Sequence, residues 1–170
     1  MEEITESLSA GLTDRGWQVN RIEIDPLSAR LIVTAPTTGE QCELDILKEA
    51  FWGPLEQTEY GPVLHRDDVI GTKVRALADR GAVRDLIDVS AARGLYTDVE
   101  LEALGRRHAR DEFSLEELAD RLRGAEWYED EAFTAYGLTD DDIRAVRVWA
   151  SAWADNISRR VSQDGLEDDE

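Results

Sequence analysis

The chain has 170 residues, 42 % hydrophobic and 7 % aromatic, with a formal net charge of -19. This is globular composition, long enough to bury a core, and it excludes a disordered chain and broad nucleic-acid binding through an acidic surface. No apolar run reaches membrane-span length, the N-terminus carries no signal pattern, and the lone Cys42 excludes an internal disulfide or cysteine metal cluster, so the cytoplasm is the expected compartment.

Residues 2–15 predict an amphipathic helix with Ile4, Leu8 and Leu12 on one side and Gly16 as its stop. Extended pieces follow at 17–24 and 29–35, separated by Asp25-Pro26 and closed by Pro36-Thr37-Thr38-Gly39. A third strand at 41–47 completes an antiparallel meander, because the connections are short. Alternation puts Cys42, Leu44 and Ile46 on one face of it and Gln41, Glu43 and Asp45 on the other. Two carboxylates on one strand face fit either a half-solvated edge strand or a site for a hard cation.

The connection at 49–66 is rich in turn residues. Its Phe51, Trp52 and Tyr60 suit base stacking or burial over the sheet edge, and burial is the expectation. His65 reads as a surface residue. A helix then starts at Asp67 or Asp68, either of which suits a cap. Val69, Ile70, Lys73, Val74 and Leu77 share one face, which places a lysine in an apolar stripe with Arg80 further along. Such a lysine either snorkels to water or lines a cleft for an anion such as a phosphate. Gly81 is placed as a C-cap, and a second helix carries Val83, Leu86, Ile87, Ser90 and Ala91, with Asp85 and Asp88 on another side. By spacing alone the two aspartates are helix N-terminal acids, and Arg84 with Asp88 is an i, i+4 ion pair.

Beyond residue 95 the pattern is helical, with Thr97-x-x-Glu100, Ser114-x-x-Glu117 and Thr139-x-x-Asp142 as starts, the first two fitting the capping box. Helices are expected at about 97–109, 114–123, 125–136 and 140–160. The last carries a core stripe of Ile143, Val146, Trp149, Ala150 and Trp153. His108 has no ligand companion one turn on and is expected to be structural or exposed. Residues 162–170 read as an acidic disordered tail.

Lys73, Ala76-Leu77, Asp79-Arg80, Arg84-Asp85 and Asp88 resemble the K-xx-AL-x-DR-xxx-RD-xx-D signature of the AbiEii/AbiGii toxin family of nucleotidyltransferases. The approach Gly61-Pro62-Val63-Leu64 and the strand Glu43-Leu44-Asp45-Ile46-Leu47 agree with it. The resemblance implies an α+β fold: a truncated nucleotidyltransferase-like mixed or antiparallel sheet over residues 1–95, then a helical domain at 96–161. It implies that Asp45 joins the catalytic and metal-binding set and that Lys73, Arg80 and Arg84 hold nucleotide phosphate. Asp85 and Asp88 then belong to the catalytic centre, one of them orienting or deprotonating the acceptor. The implied cofactor is Mg²⁺ with a nucleoside triphosphate. The implied reaction moves a nucleoside monophosphate to an RNA or protein acceptor.

The family's opening glycine turn and first carboxylate pair do not occur in this sequence; Gly11-Leu-Thr-Asp14 and Gly137-Leu-Thr-Asp140 sit at helices. Three explanations stay open: a truncated reading of a longer gene, half of a split enzyme completed by a missing N-terminal partner, or a non-catalytic descendant. The expected partners are a nucleoside triphosphate, an acceptor, an antitoxin or the missing half, and a second copy in a homodimer across an unpaired sheet edge. The competing function is a non-catalytic acidic protein-interaction module.

Overall fold

A computed structural model describes residues 1–167, with side chains described through residue 163. The chain forms two compact units, Met1–Ala50 and a second from Phe51 onward. The architecture is α+β, with a three-stranded antiparallel sheet, a small two-stranded sheet and seven α-helices among the described residues.

The first unit holds α1 (Glu2–Thr13), β1 (Gln18–Ile24), β2 (Ser28–Thr34) and β3 (Gln41–Leu47), with strand order β1-β2-β3. The short turns predicted by Asp25-Pro26 and Pro36–Gly39 leave the strands no option but antiparallel neighbours, as expected. β2 is central, and its Ala29, Leu31 and Val33 are buried. Leu31 faces Leu44 and Ala29 faces Ile46 across β3, which fixes one apolar face. The same register sets Arg30 opposite Asp45 and Ile32 opposite Glu43.

α1 departs from its expected orientation. Ile4 and Leu8 are 52 % and 36 % exposed, whereas Thr5 and Ser9 are buried. Hydroxyls can be buried here because the helix satisfies them. Thr5, Ser9 and Thr13 each donate to the carbonyl four residues back, at 3.2, 2.7 and 2.8 Å. Apolar periodicity therefore marked the outer face.

The second unit begins with the ribbon β4 (Glu56–Thr58) and β5 (Gly61–Val63). Phe51, Trp52 and Tyr60 are exposed rather than buried, Tyr60 at 90 %. The guanidinium of Arg107 lies over the Trp52 ring. The helices are α2 (Arg66–Arg80), α3 (Val83–Ala92), α4 (Asp98–His108), α5 (Leu115–Arg123), α6 (Asp130–Thr134) and α7 (Asp140–Glu167), with a 3₁₀ turn at Gly124–Trp127. The single helix expected at 125–136 is thus split in two. α7 continues to Glu167, so residues 162–167 of the expected tail are helical, and residues 168–170 lie outside the described residues. The expected boundary at residue 95 falls between α3 and α4, inside one unit, because α2 packs on both helices.

The helical core gathers Val74, Leu77, Leu86, Leu101, Leu118, Leu122, Phe133 and Trp153. Ile143, Val146, Ala150 and Trp153 confirm the α7 stripe. Buried Glu102 accepts from Trp153 Nε1 at 2.9 Å and from Arg160 Nη2 at 2.5 Å, so its charge is paired. Thr97 and Glu100 form a full capping box. Thr139 and Asp142 form the same reciprocal pair, while the Ser114 hydroxyl accepts from the Glu117 N–H as a cap should and donates to the Glu116 carboxylate.

The buried face of α2 is rotated from the predicted stripe: it carries Asp68, Gly71, Val74, Leu77 and Ala78, and Val69 is exposed. Gly71 is the reason. A Cβ there would lie 2.7 Å from the Leu104 carbonyl oxygen and 2.3 Å from His108 Cδ2, so the glycine lets α2 and α4 approach closely. Neither expected aspartate caps α2. His65 does, its Nδ1 accepting from the Asp67 N–H at 3.2 Å. Asp68 turns inward, accepts from Trp52 N–H and Gly53 N–H at 3.0 and 2.8 Å, and so ties the entry segment to α2. Buried His108 places Nε2 3.0 Å from Asp68 Oδ1, without the alignment of a full hydrogen bond.

Gly71→Ala is expected to destabilise the chain by about 1–3 kcal/mol, the usual cost of overpacking against backbone. Gly94→Ala, where a Cβ meets nothing within 4 Å, is the near-neutral control. Urea unfolding of both variants checks this. A second outcome concerns acid. Burial alone would raise the Asp68 carboxyl, but the Trp52 and Gly53 N–H donors and His108 outweigh it and hold Asp68 below the usual carboxylate range. A depressed folded-state value stabilises the fold above the unfolded value of about 4, and that stability is lost as pH falls through the lower folded value. The stability gap between wild type and Asp68→Asn should therefore be largest above about pH 4 and shrink in stronger acid, as urea midpoints at successive pH values will report.

Candidate nucleotide site at the corner of α2 and α3

Lys73 lies at the flank of the buried face of α2, on the side of α3. Its Nζ is 2.7 Å from Asp88 Oδ2 and 3.9 Å from Asp85 Oδ1. Arg80, the last residue of α2, grips Asp85 with both prongs, Nε to Oδ2 at 2.7 Å and Nη2 to Oδ1 at 2.9 Å. The two cations thus meet at one carboxylate oxygen.

The local fold makes this meeting possible. Gly81 ends α2 at φ 62°, with its N–H returned to the Leu77 carbonyl. That left-handed conformation suits glycine and reverses the chain within a few residues. α3 then starts at Val83 and carries Asp85 in its first turn, facing α2.

Burial divides the roles. The Asp85 side chain has no exposure, that of Arg80 is 55 % exposed, and those of Lys73 and Asp88 are 30 % and 40 % exposed. Asp85 is therefore an internal anchor with two cations as counter-charges. The bidentate bond to Asp85 holds the Arg80 guanidinium above its ordinary value, against the opposing effect of partial burial. Asp85 uses one edge of the guanidinium, which leaves the Nη1 edge directed away from the pair. The Lys73 side chain is 30 % exposed, and its ammonium is held by Asp88 at the edge of the buried face.

Arg84 is exposed, and Asp88 is engaged by Lys73 rather than by the i, i+4 partner that spacing suggested. In the first unit, Asp45 lies on the solvated face of β3 as alternation predicted. Arg30 clasps it through Nε–Oδ1 at 2.8 Å and Nη2–Oδ2 at 3.0 Å. The hydrogen bonds from Arg30 hold the Asp45 carboxyl below its ordinary value. Glu43 Oε1 is 3.4 Å from the same Arg30 Nε. Lys73, Arg80, Asp85 and Asp88 are brought together; Asp45 belongs to the other unit.

Sequence reasoning missed the groups that hold the corner from outside the signature. Arg121 of α5 donates to the Ala78 and Asp79 carbonyls, both at 3.4 Å, and the Tyr128 hydroxyl donates to the Gly81 carbonyl. These contacts span more than forty residues of sequence and left no periodic signal.

The burial asymmetry predicts unequal mutants. Arg80→Ala leaves a buried carboxylate with only the more distant Lys73, at an expected cost of about 2–3 kcal/mol, less than for a fully buried pair because Arg80 is half in solvent. Asp85→Asn leaves an arginine already in water and should cost less. Thermal unfolding of the two variants at neutral pH checks the order.

The family profile described as "Nucleotidyl transferase AbiEii toxin, Type IV TA system" matches residues 5–155. No curated protein and no solved structure matches the chain. The match runs through the meander, the α2–α3 corner and most of the helical region, and it agrees with the signature carried by Lys73 to Asp88. The chain belongs to the AbiEii nucleotidyl transferase toxin family of type IV toxin–antitoxin systems.

Proposed function

We propose that the α2–α3 corner binds the phosphates of a nucleoside triphosphate and that the chain transfers a nucleoside monophosphate from it to an RNA or protein acceptor in the cytoplasm. The observation that carries this reading is the convergence of Lys73 and Arg80, both partly exposed, on the buried Asp85. Two cations held by one internal carboxylate are preorganised for an anion, and the side-chain entropy of ordering them is already spent. Arg84, exposed and next to Asp85 in sequence, is the third positive group assigned to the nucleotide.

The Lys73–Asp88 pair gives the site a further property. An incoming phosphate competes with Asp88 for the ammonium. Binding then frees the Asp88 carboxylate, which is positioned to accept the proton of an acceptor hydroxyl. The hydroxyl oxygen bonds to the α-phosphorus, the bond from that phosphorus to the bridging oxygen breaks, and pyrophosphate leaves with the electron pair. Lys73 and Arg80 offset the charge that builds on the phosphate oxygens. Asp85 holds both cations throughout.

Magnesium is expected with the nucleotide, but the carboxylates do not fit a metal as arranged. No group of three or more acidic, histidine or cysteine side chains among the described residues is gathered to hold one. Asp45 is clasped by Arg30, Asp85 by Arg80, and Asp88 by Lys73. The metal role of Asp45 would require it to exchange Arg30 for the ion. The same pairing favours, as a second reading, a non-catalytic interaction module in which the three ion pairs are structural.

Equilibrium dialysis with nucleoside triphosphates in magnesium buffer separates the two. Lys73→Ala is expected to weaken binding by roughly 10- to 100-fold, the loss of one charge-assisted hydrogen bond. Wild-type protein that retains no nucleotide would favour the interaction module.

A further inference from the structure

The corner that joins Arg80 to Asp85 is held by residues the signature does not contain. A helix end leaves its last carbonyls without helical partners. At α2 these are met from α5, by Arg121 on the Ala78 and Asp79 carbonyls, and from the 3₁₀ connection, by the Tyr128 hydroxyl on the Gly81 carbonyl. A Cβ at Gly81 would fall 2.6 Å from Arg121 Cδ, so the arginine stem lies directly against the turn.

Tyr128 is itself fixed. Arg147 of α7 donates through Nη2 to the Tyr128 carbonyl at 2.6 Å and through Nε to the Ala125 carbonyl at 3.2 Å. Its Nη1 is 2.7 Å from Asp130 Oδ1, and its guanidinium lies over the Phe133 ring. The Tyr128 ring meets Phe133 edge-on, with centroids 6.2 Å apart. A chain of contacts therefore runs from α7 through Arg147 and Tyr128 to the Gly81 carbonyl, one residue beyond Arg80.

We propose that Tyr128 is a positioning residue for the Arg80–Asp85 pair. Fork-to-carboxylate geometry is directional, and the short corner sets where the fork sits relative to the carboxylate. The Tyr128 hydroxyl holds the corner through the Gly81 carbonyl, so the C-terminal helices set the orientation of a cation in the proposed phosphate site. The functional half of this inference rests on the nucleotide-binding reading; the positional half does not.

The test is Tyr128→Phe, which keeps the ring against Phe133 and removes only the donor. The first readout needs no nucleotide: solvent exchange of the Arg80 Nε–H, followed by NMR in protein whose circular dichroism and melting curve confirm folding. Exchange roughly tenfold faster in the variant is expected, the scale of one hydrogen bond. Unchanged exchange would overturn the proposal. The second readout is magnesium–ATP binding in a double-mutant cycle with Arg80→Ala. Tyr128→Phe should weaken binding several-fold in the wild-type background and have no further effect once Arg80 is gone. Equal losses in both backgrounds, or faster exchange with unchanged affinity, would overturn the functional half, while the exchange result alone decides the positional half. If wild-type protein binds no nucleotide, the phosphate reading and the functional half fall together, and the exchange measurement still decides whether Tyr128 positions the pair.

Discussion

A carboxylate with no access to solvent governs the second unit. Asp85 cannot be buried as a charge without partners, since the desolvation penalty would be several kcal/mol. Arg80 and Lys73 come to it from α2, and this fixes how α2 and α3 meet. The close turn at Gly81 follows, because Arg80 and Asp85 must face each other across it. The demand for partners also leaves both cations part-way into solvent, where an anion can reach them. Stability and the proposed chemistry therefore draw on the same three side chains.

The other ion pairs do different work. Asp68 ties the Trp52–Gly53 segment to the start of α2 through two backbone N–H groups, a local anchor with no ligand-facing surface. Glu102 links α4 to α7 through Trp153 and Arg160. Asp45 and Arg30 form an exposed cross-strand pair, of the kind that steadies register and contributes little to stability. Buried Glu102 also pairs with a part-exposed cation, Arg160, but with one alone; among these pairs only Asp85 draws two part-exposed cations to a buried carboxylate, and for that reason the proposed function is placed there.

Much of this arrangement was legible in the sequence where neighbours in sequence are neighbours in space. The meander followed from turn residues and alternation, the face of Asp45 from its strand position, and the Gly81 stop from helix capping. Legibility failed where tertiary contact decided. Gly71 carries no side chain, so hydropathy could not mark it as a close approach of α2 to α4, and the buried face was placed one position aside. Thr5 and Ser9 read as polar, although the backbone carbonyls of their own helix satisfy them. Asp68 read as a cap, yet its spacing to Gly71, Val74 and Ala78 follows the buried face and gave a usable signal. The Arg30–Asp45 clasp needed the hairpin register, and Tyr128 and Arg121 needed the whole helical packing.

The role of the Lys73–Arg80–Asp85 corner in nucleotide transfer can be measured by incubating the chain with each α-labelled nucleoside triphosphate and magnesium, with total transfer RNA and with protein as acceptors. Label is expected on one acceptor from wild-type protein and none from a folded Lys73→Ala variant. Label that persists undiminished in Lys73→Ala would contradict the assignment of this site, and no label from wild-type protein on either acceptor would contradict the transfer itself.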